Sequence, residues 1–358
     1  MSDAPADFLV AGSTPLARLV AGLLAQSHGR RVIFVGESQA TYRLPRSLDL
    51  SVAPLTRPES WALLRPSSDE TARLITRIAG RGALRHIDPI FFADSAADRE
   101  ALAHCGQMAA GFGVAVEKVA PSLLGQGREG LLFRDAIRLN RPVLEPALDT
   151  WLAEIGVERP EISGLRIGLD GSAVVATSAV ELVAHQAVLA DDTAIIAWLP
   201  LQHWPMLLRR QAGATILTTP TKPLAAPAMV QIGSGTVLKQ QAEGGIAALG
   251  SEDLAVFSGR LQALLGRDRQ VEQAGQTGYQ RLVSIDGGPL VGRAAGQGAD
   301  IVAGLGMAGA FLAPALARWL AGAASPAEAA WFGARLVNRD PNDRRVAEFA
   351  PPLSEAKP

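Results

Sequence analysis

Gly12, Ser13, Thr14, Leu16 and Ala17 stand where an apolar run, Phe8-Leu9-Val10, gives way to a helical pattern. A glycine between a strand and a helix leaves backbone N–H groups unpaired at the positive end of the helix, which suits a phosphate. The full dinucleotide fingerprint, Gly-x-Gly-x-x-Gly, uses its second glycine to let a pyrophosphate approach the backbone. Its third glycine lets the helix pack closely on the strand. Here Thr14 takes the second place and Ala17 the third. The alanine adds only a methyl, whereas the threonine puts a branched side chain in the phosphate path, with a hydroxyl able to donate a hydrogen bond. The candidate for the acid expected about 20 residues on is Glu37, 25 positions after Gly12, with Gly36 as the competing alignment. By itself the stretch reads equally as a cofactor turn or as an ordinary strand–turn–helix, a unit that recurs on many unrelated sites.

The surrounding pattern supplies the frame. Leu16, Leu19, Val20, Leu23 and Leu24 repeat at helical spacing, and His28-Gly29 closes that helix. A β-branched strand, Val32–Val35, completes a βαβ unit, which implies a parallel sheet with helices on its faces. Arg46 to Pro58 reads as proline-punctuated loop. Thr71–Ala79 and Ala96–Gly111 are predicted helices on either side of a strand in "IDPIFFAD", and a second unit opens at Glu145-Pro146. "RIGLDGSAVVAT" is a hairpin turning at Asp170-Gly171, and "AHQAVLADD" is a buried strand. Residues 214–250 lack helical periodicity and read as several antiparallel strands. A helix at Glu252–Leu265, a strand at Ile301–Ala303 and a helix from about Gly309 follow, and the tail after Pro341 is polar.

Composition excludes several classes. With 48% hydrophobic and 19% charged residues the chain is globular, and Lys+Arg 34 against Asp+Glu 35 leaves no basic footprint for nucleic acid. One cysteine, Cys105, rules out an internal disulfide and suggests a small core residue. The five histidines share no metal-ligand spacing, although His203, beside Trp204, is a candidate pocket residue. Ile301–Ala317 is uncharged, but its glycines and Pro314 suit a strand, a turn and a new helix better than a membrane span. "MSDAPAD" lacks an apolar segment, so a cytoplasmic protein is expected.

The C-terminal half tips the balance at Gly12. Thr277–Arg293, followed by Asp300–Gly322, resembles the D-amino-acid oxidase superfamily of FAD-dependent oxidoreductases, which includes glycine and sarcosine oxidases. Arg281, Asp286-Gly287, Pro289 and Gly292 match its Arg-Pro-x-x-x-Asp-Gly-x-Pro-x-Ile-Gly segment. Gly304, Gly306, Gly309 and Ala313-Pro314 match its later Gly-x-Gly/Ser-x-x-Gly-x-x-x-Ala-Pro turn. The resemblance implies an α/β chain: a Rossmann-like FAD-binding domain (1–84, 143–200 and 283–340) and a mostly antiparallel substrate domain (85–142 and 201–282), with a polar tail at 341–358. It implies an FAD site built from Gly12, Ser13, Thr14, Leu16, Ala17, Glu37, Arg46, Ser47, Gly292, Gly304, Gly306, Met307, Ala308, Gly309, Ala310 and Phe311. A helix starting near Gly309 would aim its N–H groups at the flavin's pyrimidine edge.

The activity implied is oxidation of the C–N bond of an amino acid or amine by hydride transfer to flavin. Arg281 falls where some members grip the substrate carboxylate; an ion pair with Asp286 or a surface role is the competing assignment. Departures from the pattern concentrate on the phosphate side. Beside Thr14, "VLADD" stands where the family usually has an Ala-Gly pair, and Asp191 and Asp192 would face phosphates unless they turn outward. A weakly FAD-binding or non-catalytic relative, serving as a subunit or scaffold of a larger complex, is therefore the alternative. A homo-oligomer or a partner subunit is compatible with either reading.

Overall fold

The computed structural model describes residues 4–37, 44–125, 127–266, 269, 271–294, 296–340 and 346–348. The elements run β1 (Ala6–Ala11), α1 (Pro15–His28), β2 (Val32–Val35), α2 (Pro58–Ala79), β3 (Leu84–Ile87), β4 (Ile90–Ala93), α3 (Ala96–Gly111), β5 (Val116–Lys118) and α4 (Pro121–Leu124). Then come β6 (Glu129–Phe133), β7 (Ala136–Leu139), α5 (Arg141–Glu154), β8 (Gly164–Ile167), β9 (Ala173–Ala176), β10 (Glu181–Leu189), α6 (Asp192–Trp198) and β11 (Leu208–Thr218). The last are β12 (Ala228–Gln231), β13 (Thr236–Gln240), β14 (Ile246–Gly250), α7 (Leu254–Leu265), β15 (Gln273–Ser284), β16 (Leu290–Ala294), β17 (Gln297–Ala303), α8 (Ala313–Leu320) and α9 (Pro326–Gly333).

Two large sheets carry the fold. The first has the order β16-β17-β10-β1-β2; β1 is parallel to β2 and β10, β10 is parallel to β17, and the hairpin of β8 and β9 joins along β10. Side chains alternate across β1 and β2. Phe8, Val10, Val32 and Phe34 face the helices α1, α5 and α8, while Leu9, Ala11, Ile33 and Val35 pack with β10 and β17 on the other side. The second sheet, β15-β11-β14-β13-β12-β4-β6-β5, is antiparallel except where β12 runs parallel to β4. β3 and β7 form a separate two-stranded ladder.

Two helices are longer than the sequence predicts. α2 begins at Pro58 rather than Thr71, and α5 at Arg141 rather than Glu145; both carry an internal proline, Pro66 and Pro146. A proline inside a helix forfeits one backbone hydrogen bond. Each of these is outweighed by the apolar side chains buried on its own turn, Trp61, Leu63 and Leu64 in α2 and Leu144 and Leu148 in α5. Trp61 is thus packing, and its indole N–H donates to the Leu55 carbonyl at 3.2 Å. Cys105 is buried in α3, and burial pushes its thiol up to about 12.

Of the polar tail, residues 346–348 are described, and they pack against α2 and the segment before it. Within the described residues, Val346 is buried, Thr56 N–H donates to Glu348 at 2.9 Å, and the Glu348 carboxylate also accepts from the Ser60 hydroxyl.

α1 reaches α5 because Gly22 has no side chain: a Cβ there would run into the ring of Trp151. Gly22→Ala therefore destabilises the protein. Helix propensity alone favours alanine by about 1 kcal/mol, but overpacking of a filled core costs about 1–3 kcal/mol. Thermal unfolding reads the sign, and a Tm at or above wild type would refute the close contact.

Candidate active site

β1 ends at Ala11, and Gly12 turns the chain into α1. Thr14 caps that helix with φ −100° and ψ 163°, and its hydroxyl oxygen accepts from Ala17 N–H at 3.4 Å. The hydroxyl thus serves the helix instead of pointing into the phosphate path. Ala17 is buried, and a Cβ on Gly12 would lie 2.6 Å from its methyl, which is why residue 12 is glycine. Glu37 is exposed just beyond β2. Beside it a Cβ on Gly36 would strike the Gly12 carbonyl, so the two loops leaving β1 and β2 touch backbone to backbone.

Asp191 fills the turn. It does not turn outward: Oδ2 accepts from Ser13 N–H at 2.6 Å and from Thr14 N–H at 3.1 Å, while Oδ1 accepts from Ala194 N–H at 2.9 Å and so caps α6. Asp192, the next residue, accepts from Leu282 N–H at 2.9 Å. The pair thereby ties the turn at Gly12 to β15, one residue from Arg281.

The glycine-rich segment after β17 docks against the same helix head. It forms a 3₁₀ segment, Gly306–Leu312, and the α-helix starts only at Ala313, not near Gly309. The reason is local: Gly306 has φ +59°, and Pro314, which lacks an N–H, belongs in the first helical turn. The buried residues Ala308, Gly309, Ala310 and Phe311 bring this segment onto α1, where a Cβ on Gly309 would lie 3.7 Å from Leu16. Met307 accepts from Leu50 N–H at 2.9 Å, and Phe311 accepts from the Thr71 hydroxyl at 3.1 Å. Gly304 (φ +72°) and Gly306 are exposed, and a Cβ on Gly306 would meet nothing within 4 Å. Gly292 (φ +89°) lies instead against Leu336 and Trp319.

One face of the second sheet roofs this region. The Thr215 hydroxyl donates to the Pro45 carbonyl at 2.6 Å and the Tyr279 hydroxyl to the Arg46 carbonyl at 3.1 Å, docking the loop at Leu44–Ser47. Arg46 lies over the Tyr279 ring at 5.2 Å, and the Ser47 hydroxyl accepts from Arg141, which also pairs with Asp49 at 2.6 Å. Arg281 shares the face with Tyr279 by strand alternation, and its guanidinium donates to the Ser251 hydroxyl at 2.6 Å. It does not pair with Asp286. That carboxylate takes a bidentate contact from Arg339 at 2.7 and 2.8 Å. Burial alone would raise Asp286, but the hydrogen bonds from Arg339, Ser284 and Gly288 N–H hold it below its ordinary value. His203 lies elsewhere, near Gly298 in β17.

Sequence reasoning missed Lys239, which period-two alternation in β13 places on the roof with Val237. Burial, then the guanidiniums of Arg138, Arg141 and Arg85, push its ammonium down to about 8, with Asp49 acting the other way. Burial likewise raises the Asp192 carboxyl to about 6, against the hydrogen bond from Leu282 and the charge of Arg281.

Glycine oxidase from Geobacillus kaustophilus superposes with a TM-score of 0.68 over 94% of this chain and 99% of its own, at 15% identity. The chain has the glycine oxidase fold. L-proline dehydrogenase from P.horikoshii shares that fold (TM-score 0.66, 14% identity, 92% of this chain and 96% of that one). So does iminodiacetate oxidase from Chelativorans sp. BNC1 (0.62, 17%, 88% and 94%). No protein-family model matches the chain, and no curated protein matches it. Among the described residues no helix is long and apolar enough to cross a membrane.

Within the glycine oxidase fold, the residues meet an FAD only in part. The backbone at Gly306 is open, but at the Gly12 turn Asp191 occupies the amides that a pyrophosphate needs. As held, that turn does not fit the group.

The Asp192 carboxyl gives a pH test. A folded-state value of about 6 against an ordinary 3.8 means that the folded protein holds this proton more tightly. Its contribution to stability is therefore lost as pH rises from about 4 to 6. Asp192→Asn keeps an acceptor for Leu282 N–H and loses a charge favourable at the head of α6. The net expectation is about 1 kcal/mol of added stability at pH 7 and a flatter profile between pH 4 and 6. Urea unfolding at several pH values measures it, and an unchanged slope would contradict the assignment.

Proposed function

We propose that this chain is an oxidoreductase acting on the C–N bond of an amino acid or amine, with FAD as its cofactor. The observation that carries the reading is the convergence on the head of α1 of the Gly306–Leu312 segment and, through Asp191-Asp192, of the strand bearing Arg281. The similar structures are, by name, a glycine oxidase, an L-proline dehydrogenase and an iminodiacetate oxidase. In this reading residues 1–84, 143–200 and 283–340 form the cofactor half, and 85–142 with 201–282 the substrate half.

The roles follow from the chemistry of the side chains. Arg281 binds the substrate carboxylate, for which a guanidinium provides a planar, bidentate and permanently charged partner. Fixing the carboxylate orients the α-carbon towards the interior between the sheets. Asp192, beside Arg281 and raised to about 6, is able to hold a proton near neutral pH. Tyr279 and Thr215 hold the loop at Leu44–Ser47 against the same face of the second sheet.

The reading predicts that FAD at high concentration raises the Tm, because a ligand of the native state stabilises it by mass action. Amino acids then bleach the flavin absorbance under anaerobic conditions. Arg281→Ala raises KM for carboxylate-bearing substrates by about 10- to 100-fold, the worth of a charge-assisted hydrogen bond, and leaves plain amines nearly unaffected. An equal loss for both classes would refute the role of Arg281. The absence of flavin binding by wild type and by every Asp191 variant would refute the cofactor.

A further inference from the structure

We propose that the Asp191 carboxylate is the built-in occupant of the phosphate cradle, so that this chain admits a dinucleotide only when Asp191 leaves; the proposal rests on the reading of FAD as cofactor. The two amides at the head of α1 each have one proton to give, and both give it to Oδ2, at 2.6 and 3.1 Å. The oxygen also lies directly over the glycine: a Cβ on Gly12 would come within 2.9 Å of it. In such turns the phosphate approaches the backbone at the second position, here Thr14, whose N–H is one of the two that Oδ2 takes. A carboxylate and a phosphate cannot share the same donors, and two anions at contact distance repel strongly where water is excluded.

The carboxylate is not a loose side chain that an incoming ligand brushes aside. Asp191 is buried, Oδ1 is fastened to Ala194 N–H at the head of α6, and its neighbour Asp192 is fastened to Leu282 in the other sheet. Displacing it either swings the side chain out of a buried position or shifts the β10–α6 junction. An entering dinucleotide therefore has to break two hydrogen bonds to a charged acceptor before it forms its own.

The test is titration of FAD into the full-length protein, followed by flavin fluorescence. Asp191→Ala is expected to bind FAD at least about tenfold more tightly than wild type, the factor one charge-assisted hydrogen bond is worth. Asp191→Asn keeps a capping oxygen for α6 while removing the charge, so it guards against misfolding of the alanine variant, and it is expected to fall between them. Equal affinity in all three proteins overturns the proposal. If none of them binds FAD, the cofactor reading fails by itself, and amide hydrogen exchange at Ser13 and Thr14 decides about Asp191. Slow exchange in wild type that speeds up in both variants upholds its place in the cradle; identical exchange overturns it.

Discussion

Buried backbone N–H groups have to be paired, and at the head of α1 the partner is a single carboxylate from 178 residues further along the chain. Much of the surrounding arrangement follows from meeting that requirement. Because Asp191 reaches back to Ser13 and Thr14, the end of β10 is pinned beside the end of β1. Its other oxygen starts α6, and Asp192 then reaches the second sheet at Leu282. One dipeptide thus links the strand–turn–helix of the first sheet to the strand that carries Arg281.

Several charged groups are matched by a partner of opposite sign. Arg141 is matched by Asp49, and Asp286 by Arg339. Lys239 is strongly affected: burial, then three guanidiniums, depress its ammonium, with one carboxylate acting the other way. Groups in this condition are more common at working sites than in ordinary cores, which agrees with a binding region between the two sheets.

How far the sequence revealed this depended on how local each signal was. The strand–glycine–helix at Gly12, the hairpin at Asp170-Gly171 and the antiparallel run in 214–250 were legible, because periodicity and turn residues act over a few positions. The bodies of α2 and α5 were legible too, but not their early starts at Pro58 and Arg141. A proline's cost is local, while the apolar burial that outweighs it depends on tertiary partners. The late start of α8 was missed although its cause is local: Gly306 takes φ +59° and Pro314 sits in the first helical turn. The destination of Asp191 had no local signature; the sequence flagged "ADD" only as misplaced acid. Nor did the motif Asp286-Gly287 disclose that its carboxylate would lock Arg339.

Asp191 also joins two helix heads with one side chain, α1 through Oδ2 and α6 through Oδ1. Both helix starts are therefore satisfied without any ligand. Many ligand-binding folds depend on the ligand for part of their order, and newly made chains wait in a vulnerable, half-formed state until it arrives. Here the protein carries its own substitute. The order of these two helix heads therefore does not depend on a bound ligand.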